Sequence, residues 1–195
     1  MQIHTTPLAG SALIDLKLLT DDRGFFARSF CEQEFIDAGL DPTITQCNMS
    51  YNHVAGTLRG FHYQLDPNAE VKVIRCLRGS IYDVIVDLRP ESPTYQQHFG
   101  AELSQDNHRA MYVPRNFAHA YLTLTDGAET MYQVSTPYTP GAERGLRYDD
   151  PALGVEWPVP VTTISDKDAS WPLLSESTDF AGAAGVSAPS ETGGR

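Results

Sequence analysis

Residues 71 to 88 read VKVIRCLRGSIYDVIVDL. Two runs of β-branched and apolar residues, 71–79 and 80–88, meet at Gly79-Ser80, and such runs bounded by turn residues are the pattern of strands. Outward from this pair the same texture recurs: ALIDLKLL (12–19), TQCNMSY (45–51), GTLRGFHYQ (56–64), RAMYVP (109–114), AHAYLTL (118–124) and ETMYQVS (129–135). Only CEQEFIDAG (31–39) has helical character, with acidic residues in its first turn and Gly39 as its stop. Many short strands with almost no helix leave no room for the crossovers that a parallel sheet needs. The expected fold is therefore all-β: an antiparallel, double-stranded jelly-roll barrel with paired or closed edges and one short helix.

At 195 residues with 41% hydrophobic content, the chain is the size of one domain with a substantial core. Its texture changes after Pro137. Residues 137–174 are rich in proline yet carry Trp157 and Trp171, which reads as an ordered, irregular C-terminal wrap over the barrel. Residues 175–195 are mostly Ser, Ala, Gly, Thr and acid, with Phe180 as the one aromatic. A barrel domain over 1–174 and a disordered tail over 175–195 are expected. The net charge of −11 argues against a nucleic-acid partner or an anionic membrane surface, since both require clustered Lys and Arg. An acidic protein that binds phosphate has to concentrate its few arginines locally. Cys31, Cys47 and Cys76 form no C-x-x-C pair and fit buried free thiols better than disulfides or a zinc site. The N-terminus lacks a basic leader region, and no apolar run approaches ~20 residues, so a soluble cytoplasmic protein is expected.

The strands carry polar side chains in places that invite chemistry. In strict alternation His62 shares a face with Gly60 and Leu58, and Arg59 shares the other with Phe61 and Thr57. Arg59 then either lies on the solvent face or is brought beside His62 by a bulge, which Gly60 permits. Lys72, Ile74 and Cys76 share a face, so Lys72 is either a surface lysine or a cation inside the barrel. Asp83 in IYDVIVDL, His119 in PRNFAHAYL and Tyr132 in ETMYQV are each either core residues with satisfied hydrogen bonds or parts of a site. Jelly-roll barrels that hold a metal commonly use two histidines separated by one residue, plus a glutamate and a distal histidine. Here the string is His62-Tyr63-Gln64, so a metal-free barrel is expected, with side chains doing the acid–base work.

Seven stretches in order, DDRGFFARSF (21–30), QCNMSYNHVAGTLRGFHYQ (46–64), EVKVIRCLRGSIYDVIVDLRPESPTY (70–95), LSQDN (103–107), YVPRNFAHAY (112–121), ERGLRYDDPALGVEWP (143–158) and SDKD (165–168), resemble the blocks of the dTDP-4-dehydrorhamnose 3,5-epimerases. The resemblance runs from about residue 5 to 174. It implies a homodimeric cupin-fold jelly roll without metal or organic cofactor. The implied substrate is a dTDP-linked 4-keto-6-deoxy sugar, epimerised at the carbons flanking the ketone. It also implies roles: His62 as base with Asp168 as its orienting partner, Lys72 at the enolate oxygen, and Tyr132 as proton donor. Asp83 and His119 match a second pair lining the sugar pocket, and Arg59 matches the diphosphate arginine. Arg23 and Phe26 match residues sent across the dimer interface, while Gln46, Asn48 and Lys167 match residues near the base, sugar or phosphate. The chain departs from the family at Arg28, where glutamate is usual, and in FAHAY and RGFHYQ, where FAHGF and RGLHYQ are usual. A relative that inverts only C3 of a related 4-keto sugar would use the same base and acid. A metal-dependent cupin enzyme and a non-catalytic sugar-binding barrel are the readings from other classes.

Overall fold

The computed structural model describes residues 1–177 and 179. In chain order come β1 (Gln2–Thr5), β2 (Ala12–Asp15), β3 (Leu19–Asp21), β4 (Gly24–Phe26) and the helix α1 (Glu32–Asp37). They are followed by β5 (Gln46–Asn52), β6 (Leu58–Gln64), β7 (Lys72–Arg78), β8 (Ser80–Asp87) and β9 (His98–Ser104). The last elements are β10 (Ala110–Val113), β11 (Phe117–Thr123), β12 (Ala128–Val134), β13 (Glu143–Gly145), the helix α2 (Asp166–Ala169) and a 3₁₀ turn at Leu174–Glu176. The order β1-β2-β10-β7-β12-β5 makes a six-stranded sheet and β13-β6-β11-β8-β9 a five-stranded one, while β3 and β4 form a separate hairpin. All strand pairs are antiparallel, as a jelly roll requires.

The two runs of residues 71–88 are strands, but not a hairpin. β7 pairs with β10 and β12, while β8 pairs with β9 and β11, so the chain passes from one sheet to the other at Gly79. Gly79 has φ +71, and a Cβ there would collide with the Thr125 hydroxyl, so glycine is needed at this corner.

Between the sheets, Ile74, Cys76, Met111 and Val113 meet Ile81, Ile85, Leu103 and Phe117. On the outer face of the five-stranded sheet, Phe61, Val84, Val86 and Ala118 pack under Leu146, Leu153 and Trp157 of the wrap. On the outer face of the six-stranded sheet, Ile14, Val73, Ala110 and Tyr112 pack against Phe35 of α1. β8 and β11 are thus covered on both faces, which is why they read as continuous apolar runs.

Several boundaries differ from the sequence reading. The 12–19 run ends as a strand at Asp15, whose carboxylate accepts from Arg109 Nε at 2.7 Å, and Lys17 and Leu18 lead out to the β3–β4 hairpin. A second helix, α2, forms inside the wrap, with the Ser165 side chain accepting from the Asp168 N–H. Of the expected tail, Asp179 accepts from the Tyr63 hydroxyl at 2.8 Å and pairs with Arg144 at 3.6 Å. Residue 178 and residues 180–195 lie outside the described residues, and with them most of that expectation.

Candidate active site

A cleft of about 460 Å³ opens between the two sheets, with walls that include Gln46, Asn48, Arg59, His62, Lys72 and Tyr132. How Arg59 and His62 come to share it is a matter of register. His119 of β11 pairs with His62 and Tyr121 pairs with Arg59, so Ala120 alone opposes both Gly60 and Phe61. β6 carries one extra residue there, and the bulge reverses the alternation: Arg59 and His62 face the cleft while Phe61 turns outward into the core under the wrap. Gly60 has φ +111, and a Cβ on it would lie 2.5 Å from the His119 carbonyl, so only glycine allows this approach.

His62 Nε2 lies 2.7 Å from Asp168 Oδ1, and Asp168 Oδ2 accepts the Gly60 N–H at 3.2 Å. α2 delivers this carboxylate from 106 residues away in sequence. Burial pushes the Asp168 carboxyl up, but the hydrogen bond and charge of His62 and the Gly60 N–H outweigh it and leave the group below its ordinary value. Asp168 therefore stays ionised and fixes the imidazole. Trp171 sets its ring edge-on to His62 with centroids 6.4 Å apart, and it lies where a Cβ on Gly145 would be.

Lys72 enters from the facing sheet. Its Nζ pairs with Glu70 at 3.1 Å and donates to the His62 carbonyl at 3.3 Å. Glu70 in turn accepts from Gln64 Nε2 at 3.0 Å. Tyr132 stands on β12, also opposite His62, and burial raises its phenol above the ordinary value, so the group is protonated at neutral pH. Among the described residues its hydroxyl has no hydrogen-bond partner, which leaves the proton available. His119 Nε2 binds Asp83 Oδ2 at 2.7 Å in the cleft floor, and the other Asp83 oxygen is buried without a partner among the described residues.

Gln46 and Asn48 line the cleft and bond to each other at 2.7 Å. Lys167 stands just outside, bonded to Glu143 of the cleft wall and over the Trp171 ring. Arg23 and Phe26 lie apart from this cleft, exposed on the β3–β4 hairpin, where Arg23 pairs only with Asp21 among the described residues. Arg28 pairs with Glu34 of α1, outside the cleft. Of the departures from the family pattern, Tyr121 faces the cleft, whereas Phe61 and Ala120 pack on the outer face of the sheet. Sequence reasoning missed Ser50, Gln64 and Glu70, although each sits two residues from a named site residue on its own strand or strand edge and parity points to all three. Tyr138 and Glu143 also line the cleft, and as part of the irregular wrap they carry no such signal. Among the described residues no three His, Cys, Asp or Glu side chains converge as metal ligands.

A jelly-roll cleft holding a carboxylate-oriented histidine, a lysine and a protonated tyrosine is the equipment of an acid–base enzyme working next to a carbonyl. The family profile described as dTDP-4-dehydrorhamnose 3,5-epimerase matches residues 5–176, and the chain belongs to that family of epimerases. The Sinorhizobium fredii dTDP-4-dehydrorhamnose 3,5-epimerase is 41% identical over 177 residues, covering 90% of this chain and 91% of the relative. The crystal structure of the Bacillus anthracis dTDP-4-dehydrorhamnose 3,5-epimerase with TDP and PPi bound is 41% identical. It superposes with a TM-score of 0.86 over 89% of this chain and 99% of that one. ChmJ, a 3'-monoepimerase from Streptomyces bikiniensis in complex with dTDP-quinovose, is 32% identical, with a TM-score of 0.82 over 88% and 87% of the two chains.

Proposed function

We propose that this chain inverts C3 and C5 of dTDP-4-dehydro-6-deoxy-D-glucose to give dTDP-4-dehydro-L-rhamnose. The observation that carries the reading is the placement of His62 and Tyr132 on facing walls of one cleft, because inversion needs a proton removed from one side and returned from the other. His62, held by ionised Asp168, takes the proton beside the C4 ketone. The Lys72 ammonium holds the oxygen that becomes negative in the enolate, and Tyr132 returns a proton to the opposite face. Both carbons flank the same ketone, so one lysine serves both steps. Arg59, an exposed residue in an acidic protein and without an ion-pair partner among the described residues, takes the diphosphate, with Gln46, Asn48 and Lys167 towards the nucleoside.

The chain acts as a homodimer in this reading. The outward residues Met49 and Tyr51 of the edge strand β5 and the hairpin residues Leu19, Phe25 and Phe26 are large, apolar and exposed, an arrangement suited to a second copy. Arg23 and Phe26 then complete the partner's nucleotide end. The reaction uses no metal or organic cofactor, and the enzyme works in the cytoplasm; no helix among the described residues is long and apolar enough to cross a membrane.

The test is turnover in heavy water. Deuterium at both C3 and C5 is expected. Deuterium confined to C3 after prolonged incubation favours the C3-only reading, to which the likeness to the monoepimerase ChmJ lends weight. Lys72→Ala lowers kcat more than it weakens substrate binding.

A further inference from the structure

Tyr121 is another phenol in the cleft wall, and its hydroxyl is engaged very differently from that of Tyr132. Ser50 Oγ lies 2.7 Å from the Tyr121 hydroxyl and 2.7 Å from Thr130 Oγ1. Asn52 Nδ2 donates to the Tyr121 oxygen at 3.3 Å, and Asn52 Oδ1 accepts from Arg59 Nε at 2.8 Å. A guanidinium only donates, so Arg59 claims the amide oxygen and turns the Asn52 amide nitrogen towards Tyr121. With its oxygen accepting from Asn52, the Tyr121 hydroxyl has Ser50 Oγ at 2.7 Å and Asn52 Oδ1 at 3.5 Å to take its proton; the Ser50 contact is the shorter, and Arg59 already donates to that Oδ1. When Tyr121 donates to Ser50 and Ser50 to Thr130, every link runs in one direction, the arrangement in which hydrogen bonds reinforce one another.

The chain also bridges the two sheets. Ser50, Asn52 and Thr130 stand on β5 and β12, Tyr121 and Arg59 on β11 and β6. Asn52 and Tyr121 are both buried, Asn52 is tied further to the Ala128 carbonyl at 3.2 Å, and neither can move without breaking several bonds. At its end the Arg59 Nε is consumed, while both terminal nitrogens have no hydrogen-bond partner among the described residues. Those two nitrogens are the pair that grips an oxyanion in a bidentate manner.

We infer that Tyr121 and Asn52 are positioning residues that hold the Arg59 guanidinium by its Nε, so that its two terminal nitrogens stay presented to a diphosphate. This rests on the reading of Arg59 as the diphosphate arginine. In this reading Tyr121, its hydroxyl engaged by Ser50 and Asn52, serves binding and not proton transfer, and the departure from the usual phenylalanine is a device for binding.

Calorimetric titration with dTDP tests this without turnover. Tyr121→Phe is expected to weaken dTDP about 3- to 10-fold, the range of one neutral hydrogen bond, and Asn52→Ala about 10-fold or more, because its bond is to a charge. In an Arg59→Ala background, itself weaker than both, neither change should weaken dTDP further. With the sugar nucleotide, the loss in kcat/KM for Tyr121→Phe should fall on KM. If Tyr121→Phe leaves the affinity for dTDP unchanged, or weakens it equally in the Arg59→Ala background, the positioning role is wrong. If Asn52→Ala does not fold, the Tyr121→Phe cycle decides alone. If the unaltered protein fails to bind dTDP, the diphosphate reading and this inference fall together.

Discussion

Two histidine–aspartate pairs stand side by side, since His62 and His119 are register partners across β6 and β11, and each binds its carboxylate at 2.7 Å. The difference lies in what surrounds them. The His62 side chain keeps 30% of its surface open to the cleft and its carboxylate comes from α2 in the wrap; the His119 side chain keeps 11%, and Asp83, from the neighbouring strand, keeps none. An identical contact thus leaves a histidine accessible where it meets the cleft and a fixed floor where strands seal it. Access, not the contact itself, is what separates the two pairs.

The sharpest way to break the comparison is His62→Asn, which removes the open imidazole and leaves the sealed pair. Turnover should fall by about 10² to 10⁴-fold with dTDP binding retained, measured by product formation and calorimetry. A variant that keeps more than about a tenth of the activity would make His62 a bystander. Next in size is Gly60→Ala, which attacks the bulge that aligns Arg59 with His62. The positive φ and the collision with the His119 carbonyl should cost roughly 1–3 kcal/mol in a denaturant melt and impair dTDP affinity as well.

The open pair also carries an acid signature. The Asp168 carboxyl titrates lower in the folded protein than in the unfolded chain, so its contribution to stability is fully present above the unfolded value near pH ~4 and is lost as pH falls through the folded one. Melts between about pH 5 and pH 2 should show a decline that Asp168→Asn makes shallower; parallel curves would deny the linkage. A milder probe is diethyl pyrocarbonate, which should modify His62 before His119, with dTDP slowing the first, as read by peptide mass spectrometry. The smallest effect belongs to Asp179→Ala. Loss of its bond from the Tyr63 hydroxyl should lower stability by about 1 kcal/mol with turnover unchanged.

What could be read from residues alone followed local rules. The strand pair of 71–88 and the helix at 31–39 announced themselves through side-chain type and turn residues, whereas alternation grouped Lys72 with Ile74 and Cys76 and left open whether that face was inside. Parity failed at Arg59 because one inserted residue inverts a strand's faces, and Gly60 hinted at that only as a permission. That β7 and β8 part company at Gly79 depends on which partners each finds in distant sequence, which no local pattern encodes. The carboxylates followed the same division. Glu70 lies two positions before Lys72 and was within reach of the alternation rule, whereas Asp168 was placed beside His62 by resemblance, because only the path of the wrap brings α2 there.

The corner at Gly79 has a kinetic consequence. Because neighbouring segments of chain part into different sheets, most ladders join distant partners: β2 with β10, β5 with β12, β6 with β11. Closing such long loops comes before any reward in pairing, which places this topology among slow folders. The His62–Asp168 pair depends on one more such long-range step, since it exists only once the wrap lies over the five-stranded sheet. Refolding protein should therefore recover its sheet signal in circular dichroism before it recovers enzymatic competence, and the interval between the two measures how long His62 waits for its carboxylate.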